Sequence, residues 1–159
     1  VAPFASKAAV CALDVRADNQ LIVAGSAEGE VAIVNANSGK ILACFSCGAG
    51  NKSSSSQPED SDASSAISVE AVLFTAPELN QVIAGDINGQ ITVWDLASQV
   101  AKVSARVASG IVKMSWKSST ELLAGTLDGE VLILDPRSLK VLANCVGHSD
   151  QILDYALSQ

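Results

Sequence analysis

Few side chains in these 159 residues could do chemistry, and their spacing decides most of what they could do. The only histidine is His148. A nucleophile–histidine–carboxylate relay needs a hydroxyl or thiol within reach of the imidazole and a carboxylate that orients it. His148 lies in a predicted connector, and the acidic residues fall mostly in turns rather than as a pair in a desolvated cleft, so no relay is supported. Cysteines stand at positions 11, 44, 47 and 145. Cys44 and Cys47 have the gap of a metal or redox pair, but no second pair at ligand spacing completes a zinc site. Cys11, Cys44 and Cys145 fall in predicted strands, where a thiol reads as a small buried apolar group and no disulfide framework is expected. Gly48-Ala49-Gly50-Asn51-Lys52-Ser53 has the composition of a phosphate-cradling loop. That motif needs glycine directly before the lysine; Asn51 intervenes, and no helix is predicted to follow. No catalytic residue, metal or cofactor is assigned, and the chain reads as not an enzyme.

What the chain does carry is a repeated phrase. AGSAEGEVAIVN occupies Ala24–Asn35, AGDINGQITVWD occupies Ala84–Asp95, and AGTLDGEVLILD occupies Ala124–Asp135. The last two start 40 residues apart; the first two start 60 apart, a polar insert of about 20 residues making up the difference. Each phrase is an apolar run, a small or polar residue, a turn, and a run of β-branched and large apolar residues, which predicts a β-hairpin. Asn88-Gly89 and Asp128-Gly129 are dipeptides that tolerate positive φ at both central positions of a tight turn, and Glu28-Gly29 is a weaker version. A further strand is predicted before each hairpin (Val10–Val15, Val69–Thr75, Ile111–Trp116) and after it (Lys40–Phe45, Val100–Ala105, Lys140–Val146). The connectors after the hairpins open with Asn35, Asp95 and Asp135, whose side chains can bond backbone two residues on. Four short strands per 40 residues is the unit of a β-propeller blade. The chain is therefore read as all-β, about three four-stranded blades and the start of a fourth, a partial propeller. The units span 1–46, 67–106 and 107–146, with the insert at 47–66 and the further unit at 147–159, whose first strand is expected at Ile152–Leu157.

Trp94-Asp95 closes the third strand of the second unit, and Gly147-His148 opens the fourth. With the repeat length, these resemble the WD-repeat propeller. The resemblance implies a polar network in which a turn Asp accepts from the His of the Gly-His pair, completed by a Ser or Thr and by the Trp. Asp128 holds the turn position, but Glu28 and Asn88 replace it in the other units, and Val34 and Leu134 replace Trp94. The likeness narrows further. GHSDQILDYALS at Gly147–Ser158, SVEAVLF at Ser68–Phe74, AGDINGQITVWDLASQ at Ala84–Gln99 and SGIVKMSW at Ser109–Trp116 are similar to the angio-associated migratory cell protein family, as is an acidic, Ser-rich insert between repeats. Propellers close with about four to eight blades. The chain, which begins with Val1, is thus expected to be a carboxy-terminal segment whose partners include the remaining blades of its parent.

By position, the resemblance places partner docking on the tight turns and inter-blade connectors: Glu28, Asp86, Asn88, Asp128, Ser149 and Asp150. The same residue types also serve turns and caps through backbone geometry alone. Trp94 reads as a packing anchor; Trp116 could cover the core or face the central channel. The insert, CGAGNKSSSSQPEDSDASSA at Cys47–Ala66, has the composition of a disordered loop. Ser56 lies three residues before Glu59, and Ser61 precedes Asp62, contexts that suit an acidophilic kinase.

Net charge is −7, against nonspecific nucleic-acid binding and compatible with a basic protein partner. No apolar run approaches the roughly 18 residues of a membrane span, and Lys7 interrupts the start, so a cytoplasmic chain, with nuclear residence also open, is expected. The function read from all this is a protein-binding scaffold. The resemblance implies two versions: a chaperone for a newly made basic ribosomal protein in large-subunit assembly, as in a yeast relative, or a cytoplasmic adaptor in cell migration and angiogenesis. An enzyme using the propeller channel is the remote alternative.

Overall fold

The computed structural model describes residues 8–47, 67–76, 79–152 and 154. Its twelve strands form three four-stranded antiparallel sheets, each running in chain order from an inner to an outer strand. The first is β1 (Val10–Val15), β2 (Leu21–Ser26), β3 (Glu30–Asn35) and β4 (Ile41–Ser46). The second is β5 (Val69–Phe74), β6 (Gln81–Asp86), β7 (Gln90–Asp95) and β8 (Val100–Arg106). The third is β9 (Ile111–Ser118), β10 (Glu121–Thr126), β11 (Glu130–Leu134) and β12 (Val141–Val146). The sheets stack face to face as blades, β5 lying against β1 and β2, and β9 against β5 and β6. Even the irregularities repeat: every blade has a register shift between its first and second strands and one between its third and fourth, at matching places, and the third blade adds a second shift between its first two strands at Glu121/Leu122. Ile152–Leu157 falls largely outside the described residues. Ile152 itself is buried, and its N–H donates to Thr126 O at 3.1 Å.

The tight turns form, but not in the geometry expected. Within these three turns only the glycines, Gly29, Gly89 and Gly129, take positive φ (84°, 81° and 84°). Glu28, Asn88 and Asp128 do not, so the two-residue turn with both central residues left-handed is corrected to a three-residue loop. The glycine N–H closes a turn onto Ser26, Asp86 and Thr126 C=O, and the glycine itself forms the left-handed bulge. A side-chain oxygen in each blade selects this shape. Ser26 Oγ accepts from Glu28 and Glu30 N–H (3.3 and 3.0 Å), Asp86 Oδ1 from Asn88 and Gln90 N–H (2.8 and 2.9 Å), and Thr126 Oγ1 from Glu130 N–H (3.1 Å). All three side chains are buried and satisfy amides that would otherwise be unpaired.

Alternation along the strands sends side chains into two cores, one per blade interface. In the second blade Val82, Ala84 and Trp94 face the first blade, while Ile83, Ile91 and Val93 face the third. Burial on both faces explains the unbroken apolar runs in the sequence. Blades approach closely because Gly25 and Gly85 lack a Cβ: an added methyl would stand 2.6 Å from Val69 Cγ1 and 2.8 Å from Ile111 Cγ2. At the first interface Trp94 stacks on Phe45, ring centroids 5.5 Å apart and planes 17° from parallel. Trp94→Ala is expected to cost about 3–5 kcal/mol. Phe45→Ala introduced into that background should cost less than it does alone, because the stacked partner is already gone. Urea unfolding of the two single variants and the double variant measures both quantities.

Candidate functional site

The strand directions sort the loops onto two ends. One, the turn end, carries the β2–β3, β6–β7 and β10–β11 loops and the passages from blade to blade. Here Glu28, Asn88 and Asp128 are exposed, one per blade at the same place in the loop. Asp86 belongs to the same end but is only 2 % exposed and faces inward as the turn cap. Each loop glycine lies under the next passage: a Cβ on Gly29 would stand 2.8 Å from Ile67 O, on Gly89 2.6 Å from Ser109 O, and on Gly129 2.5 Å from Asp150 O. Exposed His148, Ser149 and Asp150 thus cross the third blade as the earlier passages cross theirs. Five of the six partner-face residues, all but Asp86, therefore share one accessible surface. Ser56 and Ser61 lie outside the described residues, in a segment whose two ends, Cys47 and Ile67, both adjoin Gly29 at this end.

The opposite end carries the β1–β2 type loops and the connectors opened by Asn35, Asp95 and Asp135. Those side chains cap their turns as expected: Asn35 Oδ1 accepts from Asn37 and Ser38 N–H, Asp95 Oδ1 from Ser98 N–H at 2.8 Å, and Asp135 from Arg137 N–H and the Ser138 hydroxyl. The Ser98 N–H and hydroxyl, then Lys102, hold the Asp95 carboxyl down to about 2, and the Ser138 hydroxyl leads in lowering Asp135. The side chain of Arg16 does the same for Asp18. Between the three inner strands at this end is a cavity of about 440 Å³, walled by Phe74, Leu79 and Trp116 and edged by Asp14, Ser118 and Arg137. Asp14 Oδ2 accepts from Phe74 N–H at 2.7 Å, and Trp116 Nε1–H donates to Phe74 C=O at 2.9 Å. The first and third blades thereby bracket one residue of the second, holding its N–H from one side and its C=O from the other.

The chain is 31% identical over 145 residues to the angio-associated migratory cell protein of Homo sapiens, and 30% identical to that of Canis lupus familiaris. Each alignment covers 89% of this chain, which spans only 32% of the length of these relatives. Over most of its own length the chain is thus similar to the angio-associated migratory cell proteins, and its sheets are WD-repeat propeller blades. Among solved structures it superposes on Saccharomyces cerevisiae Sqt1 with TM-score 0.74 at 20% identity, covering 95% of this chain and 39% of that one. The computationally designed Ika4 protein gives TM-score 0.71 at 21% identity (97% and 82% covered), and the WD40 repeats of RRP9 give 0.72 at 14% (92% and 41% covered). These structural likenesses speak for the fold alone. No family model matches the chain.

Within this WD-repeat frame, Trp94 packs as the blade anchor, and Asp95 caps the turn that follows it. Gly147 and His148 lie exposed, with no side-chain hydrogen bond from His148 to Asp128 or to any other described residue. The reading of the strand cysteines as buried is corrected: Cys11, Cys44 and Cys145 are exposed, Cys44 pointing to the side of its strand opposite the packed Ala43 and Phe45, and only Cys47 is buried. Burial, then the nearby Asp86, pushes the Cys47 thiol up to about 12, so it carries no thiolate near neutrality. Among the described residues no three His, Cys, Asp or Glu side chains gather as metal ligands, and no helix is long and apolar enough to cross a membrane.

Sequence reasoning missed the Asp14–Phe74–Trp116 bracket and the cavity. It also passed over a visible signal, since Ser26, Asp86 and Thr126 put a side-chain oxygen at one position of all three phrases. The capped turns carry a pH dependence. Because the folded Asp95 carboxyl sits at about 2 against an ordinary 3.8, its stabilising hydrogen bonds are present above the ordinary value and are lost as pH falls through about 2. A carbon-detected NMR titration of Asp95 should give that low midpoint, and Ser98→Ala should raise it toward 3.8.

Proposed function

We propose that the chain forms part of a non-enzymatic scaffold that holds a basic protein against the turn end of its blades. The observation that carries this reading is the segregation of charge between the two ends. At the turn end Glu28, Glu30, Glu70, Asp128, Glu130 and Asp150 face only Arg106 and Lys113 among the described residues, and Lys113 is already paired with Asp154 at 3.2 Å. At the opposite end Asp18, Asp95 and Glu121 are matched by Arg16, Lys102 and Lys117. The net charge of −7 is therefore concentrated on one surface. A field of one sign steers an oppositely charged partner and raises its encounter rate.

The likeness to the mammalian relatives and to WD-repeat scaffolds supports protein binding as the mode. Acidity favours, as the partner, a newly made basic ribosomal protein on its way to large-subunit assembly, met in the cytoplasm or the nucleus. Phosphate on Ser56 or Ser61 would strengthen the field. The name of the mammalian relatives favours a second reading, an adaptor in cell migration, which needs no basic partner. Enzymatic use of the channel has no paired catalytic groups among the described residues in its favour.

A pull-down from lysate with the full-length protein, at low and high salt, separates the readings. The chaperone reading expects a basic ribosomal protein that is lost at about 1 M salt, where screening shrinks to about 3 Å, and lost also from the Glu28→Lys, Asp128→Lys, Asp150→Lys variant. Recovery of signalling proteins alone, indifferent to salt and to the charge reversal, would overturn it.

A further inference from the structure

We infer that the end opposite the acidic turns holds a second, separate binding site, for an extended peptide that seats a large apolar side chain between Phe74, Leu79 and Trp116 and sets a carboxylate against Arg137. At about 440 Å³ the cavity falls within the roughly 300–1,000 Å³ of sites that take small ligands and short peptide stretches. Its walls are apolar and open: Leu79 and Val15 are each 50% exposed at its edge, which costs hydration free energy unless something covers them. The floor is pre-set. The Trp116 indole is held by its bond to Phe74 C=O, and the Phe74 N–H is held by Asp14, so the aromatic surface is fixed and neither Phe74 backbone group is left seeking a partner. Rigid aromatic groups beside an arginine are the composition of binding hot spots, and a fixed floor spares a ligand the cost of ordering it.

Charge selects the ligand. Arg137 hydrogen-bonds its own turn through its main-chain N–H, and its guanidinium, which contributes least to lowering Asp135 in that turn, forms no ion pair with a described residue; nor does Lys140 in the same loop. Among the described residues the one carboxylate lining the cavity, Asp14, is engaged by Phe74 N–H. An acidic group beside the apolar side chain would complete a charge-assisted fork on Arg137, whereas a basic one would meet the cations of this loop.

The site lies at the other end of the blades from the proposed basic-protein surface and prefers the opposite charge, so the two stand or fall separately. The test is fluorescence anisotropy of dye-labelled, end-blocked peptides on the full-length protein: Glu-Phe-Glu, with Lys-Phe-Lys and Glu-Ala-Glu for comparison. Saturable binding of the first is expected, with the other two weaker by about tenfold or more. Arg137→Glu should weaken Glu-Phe-Glu by about the same factor and turn the preference toward Lys-Phe-Lys. Trp116→Phe, which keeps an aromatic wall and loses the bond to Phe74, should weaken all binding while leaving the fold intact by circular dichroism. The turn-end lysine variant should bind unchanged. Equal binding of the three peptides, no saturable binding, indifference to Arg137→Glu, or loss of binding in the turn-end variant would each overturn the site.

Discussion

The close approach of one blade to the next is the constraint on which the rest of this structure depends. A four-stranded sheet of this size is apolar on both faces and has no stable existence alone. Each blade's first strand therefore settles onto a glycine of the blade before it, Val69 over Gly25 and Ile111 over Gly85. Any side chain at those glycines would separate the blades and open the cores between them. With the gap closed, the Phe45–Trp94 stack fills the first interface. The equivalent positions of the second, Ala105 and Leu134, do so with smaller groups in the same places.

From that packing follows the difference between the two ends. The chain passes between blades only at the turn end, so each passage lies over a loop glycine, and the loop must be tight and inward-capped to leave room. Ser26, Asp86 and Thr126 supply the cap from inside. The residues left pointing outward are those without a structural task, and in this chain they are largely acidic. At the other end a cavity lies beside the inner strands, and the acidic residues there are occupied in ion pairs and capped turns. One fold thus presents two surfaces of different chemistry.

Much of this was legible in the chain. Strand positions followed from alternation and turn dipeptides, and the blade order followed from the repeat. The turn capping of Asn35, Asp95 and Asp135 was equally open to reading. The loop conformation was not, because Asn-Gly and Asp-Gly suit more than one turn, and the choice was made by a side chain two residues earlier that bonds the loop from beneath. Asp86 was misplaced for the same reason: a carboxylate between apolar residues reads as surface until its two amide donors are seen. The cysteines were misjudged because a strand assignment does not say which of the strand's two faces meets another blade: Cys44 is exposed between the buried Ala43 and Phe45. The bracket of Phe74 by Asp14 and Trp116 joins residues from three blades, a relation that no local pattern encodes.

The polarity of the blades is the claim with the widest reach, and amide hydrogen exchange reads it residue by residue. The chain would be compared alone and with a lysine-rich peptide as probe. Protection confined to the loops at 27–29, 87–89 and 127–129 and the passage at 147–151, and removed by high salt, is the result expected. Protection centred instead on the loops at 16–20, 96–99 and 136–139, or spread evenly over both ends, would contradict it.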